Sequence, residues 1–179
     1  DGTTFAPASA SLFRDLRLGC EFLTWLWWAT ETQGGTFQRK GYGALTAAVE
    51  GPLTLADAEA TGAKQVRLAE GIPTASAEAM AALRAGKTLK RARVTLAKDA
   101  DRVFAFTLDG EDFSFRATKL PTSENAIGAD ERMAARYASL VLLWALFVEL
   151  FRHFLDAWKN EPNWQETTVQ AIREWVSAR

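Results

Sequence analysis

One cysteine and one histidine are all that 179 residues contain. Cys20 has no second cysteine to pair with, so no intrachain disulfide forms and nothing calls for an oxidising compartment. A cytoplasmic protein is expected. A structural zinc site needs several Cys or His ligands and is excluded. No Walker A loop, no GxGxxG turn and no GxSxG elbow occurs. The reading is therefore of a protein that is not an enzyme and holds no metal and no cofactor. An excess of one charge is also missing: 21 basic and 22 acidic residues leave a net charge of −1. Bulk charge alone does not mark a nucleic-acid partner. Long apolar runs are short too. Ala138 to Val148 is apolar apart from Ser139, and Glu149 and Arg152 then interrupt it. That falls below the roughly 18–20 residues of a membrane span, so a buried helix and no membrane partner are expected. Asp1 to Ser11 has no basic stretch and does not read as a signal peptide.

The isolated reactive groups have two readings each. His153 sits between Arg152 and Phe154 with Glu149 four residues earlier, within helical reach. A general base there lacks a nucleophile, and a structural role is expected. Cys20 follows Gly19 at the start of an aromatic helix, where a thiol pKa can fall, but an inert buried thiol is expected. Asp99, Asp101, Asp109, Glu111 and Asp112 gather near two turns. Solvated acidic turns are the expectation, and a two-metal nuclease centre is the alternative.

What is present is a globular composition, 48% hydrophobic and 24% charged. The length suits one domain with its own core. The reading divides it into a flexible lead-in (1–17), an α+β core (18–121) and a C-terminal helical region (122–179). LGCEFLTWLWWATE, residues 18–31, places Phe22, Leu23, Leu26 and Trp27 at helical spacing, and Gly34-Gly35 ends the helix. Its Trp25, Trp27 and Trp28 point in different directions, so cover on more than one side is expected. Base stacking is the alternative. Leu45, Ala47 and Val49 alternate as a strand, Gly51-Pro52 marks a turn, and Leu53/Leu55 and Val66/Leu68 are again two apart. Ser76 to Ala85 reads as a short capped helix. Leu89–Lys98, Arg102–Leu108 and Glu111–Ala117 then form a three-stranded meander, turning at Asp109-Gly110, with Phe113 and Phe115 on one face. Pro121–Gly128 is a linker. A long helix covers about Asp130–Lys159, Pro162 breaks it, and a last amphipathic helix covers about Trp164–Ser177.

Charge is unevenly placed. Residues 84–119 carry nine basic and five acidic groups, while both flanking regions are net acidic. Arg84, Lys87, Lys90, Arg91, Arg93 and Lys98 fall in fifteen residues without an acid. If Val94 and Leu96 face the core, Arg91 and Arg93 face out, as Arg116 does opposite Phe115. Guanidinium forks and lysine charges on one sheet face suit phosphates. A merely solvated face is the other reading.

Two stretches resemble a known family. LGCEFLTWLWWATE followed by a glycine pair resembles the LGxEFLxWLWxxSE stretch of the recombination-associated protein RdgC family, in its shorter and more divergent branch. Ala77 to Pro121 resembles that family's helix, AGK turn, basic strand, FTLD strand and closing KLP strand. The resemblance implies sequence-non-specific DNA binding as a ring-like homodimer, acting on recombinase filaments in the nucleoid. By position it points to Lys87, Lys90, Arg91, Arg93 and Lys119 as DNA contacts, beside Arg116.

The expected fold is α+β: a mostly antiparallel sheet with helices on one face and a C-terminal helical hairpin. The expected function is non-specific DNA binding as a dimer through the basic sheet face. Leu140, Trp144, Phe147, Phe151 and Phe154 form a wide stripe that suits the dimer interface. The alternative is a protein–protein assembly module that uses the aromatic and C-terminal helices and has no nucleic-acid role.

Overall fold

The computed structural model describes residues 18–39, 43–56, 65–69, 76–98, 102–121, 128–160, 164 and 166–179. The expected lead-in, Asp99, Asp101, most of the Pro121–Gly128 linker and the break at Pro162 lie outside the described residues. The elements are α1 (Leu18–Thr32), β1 (Thr36–Arg39), β2 (Gly43–Ala56), β3 (Val66–Leu68), α2 (Ala77–Arg84), β4 (Thr88–Ala97), β5 (Val103–Asp109), β6 (Phe115–Lys119), α3 (Ala129–Asn160) and α4 (Thr168–Ser177). This is the expected α+β architecture.

Alternation of apolar and polar residues builds the sheet. The six strands run in the order β1-β2-β4-β5-β6, every pairing is antiparallel, and β3 joins the far half of β2. Val49, Val94 and Phe106 are cross-strand neighbours and buried, as are Ala47, Leu96 and Phe104. These side chains share one core with residues of all four described helices, so one sheet face is covered by helices.

α1 lies against that face and is apolar nearly all round, which is the pattern of an enclosed helix. Cys20, Phe22, Leu23, Trp25, Leu26 and Trp27 are all buried. Phe22 meets Phe147, Phe151 and Phe154 of α3 at ring-centroid distances of 5.9, 5.2 and 5.6 Å. Trp27 meets Trp175 of α4 at 5.5 Å. The tryptophans Trp25 and Trp27 are core residues and Trp28 is half-buried against the core. Gly35 follows the helix at φ +63°, and a Cβ there would stand 2.3 Å from the Ala47 carbonyl oxygen, so no larger residue fits the entry to β1. Gly19 lies under the β5–β6 turn, where a Cβ would meet the Gly110 oxygen at 2.2 Å. At the start of α2, the Ser76 hydroxyl accepts from the Ala79 amide (3.2 Å) and donates to the Glu78 carboxylate (2.8 Å). Hydrogen bonds from the Glu78 backbone and from Ser76 hold that carboxyl below its ordinary range.

Three expectations change. Gly51-Pro52 is not a turn between strands: β2 continues through it as a bulge, because β4 registers Glu50 with Arg93 and then Leu53 with Ala92. The β5–β6 connection is longer than two residues. Asp109 accepts from the Glu111 amide (3.1 Å) and Asp112 from the Ser114 amide (2.8 Å), so each aspartate builds its own turn. Phe113 takes φ +56° and leaves the strand to pack on Phe147 and Phe151 at 6.2 and 5.3 Å. Finally, α3 is not a buried helix throughout. By length and composition it is apolar enough to cross a membrane, and only 28% of its most apolar 18-residue window is buried. Burial begins at Leu143; nearly everything before it is exposed.

Candidate functional site

The sheet face opposite the helices carries the charge. Cross-strand partners point the same way, so the register sorts the side chains into rows. Glu50, Arg93, Thr107 and Arg116 form one row across β2, β4, β5 and β6. Arg67, Thr54, Arg91 and Asp109 form a second across β3, β2, β4 and β5. Ala48, Thr95, Ala105 and Lys119 form a third. Every one of these except Asp109 is half-buried or exposed. The result is a surface of threonine and alanine with five cations and two carboxylates.

The two carboxylates are engaged. Asp109 is buried and its Oδ2 accepts from Arg91 Nε (3.1 Å) and Arg91 Nη2, while Arg116 Nη2 stands 3.4 Å away. Arg93 Nε lies 3.7 Å from Glu50. Arg67 and Lys119 make no ion pair among the described residues. The guanidiniums of Arg91 and Arg116 keep 36% and 53% of their side-chain exposure, so the Asp109 contact holds them side by side without hiding them. Among the described residues of these rows, five cations and two carboxylates leave an excess of three positive charges.

Of the residues expected at the site, Arg91, Arg93, Arg116 and Lys119 are brought together here. Lys90 is not. It is the extra residue of a β4 bulge between Arg91 and Leu89, and its Nζ pairs with Glu111 at 2.8 Å. Lys87 precedes β4, half-buried and engaged with other groups. Arg84 donates to the Val176 carbonyl at 3.1 Å and ties α2 to the end of α4. Sequence reasoning missed Arg67, although Val66 and Leu68, two apart, turn it to the outer face. It also missed Glu50 and Asp109 as partners, which only register reveals.

The second feature is the stripe on α3. Met133, Tyr137, Leu140, Trp144, Phe147, Phe151, Phe154 and Trp158 follow one another four and three residues apart. The structure divides the expected interface. Phe147 and Phe154 are buried in the chain's own core and Phe151 is half-buried on it, because Phe22, Phe113 and Phe115 reach them. Leu140 (48%) and Trp144 (57%) are exposed, with Val141 (52%), Tyr137 (70%) and Met133 (73%).

Cys20 is buried. The His153 ring lies 5.6 Å from Phe37, and its Nε2 is buried without a hydrogen-bond partner. Among the described residues no group of three or more His, Cys, Asp or Glu is placed to hold a metal ion. No family model, curated protein or solved structure matches the chain.

Proposed function

We propose that this chain binds DNA without sequence preference on the outer face of its sheet, in the manner of an RdgC-like protein that modulates recombination. The observation that carries the reading is the row structure: Arg67, Arg91, Arg93, Arg116 and Lys119 share one exposed face with two carboxylates. Such a face offers charge and hydrogen-bond donors to phosphate oxygens and nothing dedicated to base edges, which is how sequence-independent affinity arises. The resemblance of residues 18–121 to that family supports the same reading.

The test is fluorescence anisotropy with a random-sequence duplex across a salt series. The excess of three positive charges gives a log–log slope of about −3, at roughly 0.9 per neutralised phosphate. Glu50→Gln frees Arg93 and is expected to tighten binding and steepen the slope by about one. Lys119→Glu is expected to weaken binding at every sequence tested. A slope indifferent to both substitutions would remove the phosphate mechanism. A second reading, an assembly module with no nucleic-acid role, is supported by the exposed half of α3. It expects no binding at the lowest salt.

A further inference from the structure

We propose that the exposed N-terminal half of α3 docks on a lipid bilayer, sinking Tyr137, Leu140, Val141 and Trp144 into one leaflet. The proposal does not rest on DNA binding. Three observations carry it.

The first is the breadth of the apolar surface. Tyr137 to Val148 contains no charged residue. Within it the neighbouring pairs Tyr137/Ala138, Leu140/Val141 and Trp144/Ala145 are all exposed. Successive residues point about 100° apart around a helix of 3.6 residues per turn, so these pairs spread over a wide arc. A single facing helix fills a narrower seam, one knob at a time. Acyl chains cover a wide arc and need no matching holes. Trp144 rests one edge on Phe115 and Phe147, at 6.0 and 5.7 Å, yet 57% of it stays exposed.

The second is depth. By length and composition α3 is apolar enough to cross a membrane. Its C-terminal half, however, is held by the chain's own core: Leu150 and Phe154 are buried, Phe22 and Phe113 pack on Phe151, and Glu149, Arg152 and Asp156 interrupt the run. The uncharged stretch from Tyr137 to Val148 is about 18 Å long at 1.5 Å per residue. A hydrocarbon core is about 30 Å thick. The exposed half is therefore too short to span, and it suits a helix that lies in one leaflet.

The third is charge. Arg132 and Arg136, one turn apart on the same side of the helix, are exposed and lead directly into Tyr137. Arginine stems lie along apolar surface while their heads reach phosphate, and Tyr and Trp rings sit at the headgroup level. Asp130 and Glu131 lie further back, in the first turn of α3, where the helix dipole favours acids. From Arg132 to Val148 the only charges are these two arginines. An anionic leaflet is the complementary surface.

A dye on Leu140→Cys tests this, because the native Cys20 is buried and escapes labelling. With vesicles of phosphatidylcholine and phosphatidylserine, an environment-sensitive label is expected to shift to the blue and the chain to rise in a flotation gradient. Leu140→Glu is expected to lower the vesicle partition by about tenfold or more, the loss of one inserted leucine. Its thermal melt is expected to match the parent's, since Leu140 is 48% exposed. Arg136→Glu is expected to weaken binding to the same vesicles. A chain that stays at the bottom of the gradient overturns the proposal. So does flotation that Leu140→Glu leaves intact, which the cationic sheet face alone would produce. A label already shielded without vesicles, on a chain sedimenting above 19.7 kDa, shows that protein covers the stripe and overturns it as well.

Discussion

Asp109 governs how the outer face presents its charge. It is buried at the end of β5, accepts from Arg91, stands 3.4 Å from Arg116 and receives the Glu111 amide. One carboxylate thereby orients two guanidiniums and shapes the β5–β6 turn. Replacing it with alanine leaves the turn amide and Arg91 without their acceptor. Asp109→Ala is expected to cost about 1–3 kcal/mol in urea denaturation, the range for a lost charged hydrogen bond. Because Arg91 and Arg116 remain partly in water, the lower half of that range is favoured by solvent screening. A variant as stable as the parent would mean that the carboxylate only decorates the face. Asp112 next to it serves the turn in another way. Hydrogen bonds from Ser114 hold its carboxyl below the ordinary range, which keeps the turn acceptor ionised in mildly acidic solution. These roles were not legible in the sequence. The dipeptide Asp109-Gly110 announced a reversal, but which acid faces which arginine depends on a register that is set across three strands.

At the scale of elements, periodicity carried most of the information. The apolar alternation of β4 and β5 and the aromatic density of α1 placed those elements within one or two residues, while β2 was read as two strands split at Gly51-Pro52. α2 was given by its capping serine. The errors share a cause: each involves a residue whose partner is remote. Pro52 reads as a breaker, yet β4 accommodates it as a bulge. Phe113 fits a strand alternation, yet its ring is drawn to Phe147 and Phe151 on α3. Half of α3 reads as buried because it is apolar, and hydropathy does not report whether anything lies opposite. The contact between α1 and the β5–β6 turn is similarly remote and leaves no room for a Cβ at Gly19. Gly19→Ala would force its methyl group into the Gly110 carbonyl, separating α1 from the turn. Overpacking of this kind costs about 1–3 kcal/mol, so a fall of roughly 2–10 °C in melting temperature is expected in calorimetry. Gly43→Ala is the control for lost backbone freedom alone, since its Cβ would meet open space at a positive φ.

On the scale of the whole molecule, the helices and the charge occupy opposite sides. The sheet separates a greasy layer of α1, α2, α3 and α4 from a cationic face, and α3 is largely exposed ahead of Leu143. The layering has one more consequence, and it concerns time. α1 comes first among the described elements but ends in the middle of the fold, closed on one side by the sheet and on the other by α3 and α4. A ribosome adding about 5–20 residues per second needs on the order of ten seconds or more between Trp27 and the Trp175 that packs on it. Through that interval the aromatic faces of α1 are exposed to whatever is nearby. Nascent chains stalled before residue 128 are therefore expected to cross-link to a chaperone through α1, and chains that have emerged with α3 and α4 folded are not. The order in which this protein is made leaves its most apolar helix waiting longest for its neighbours.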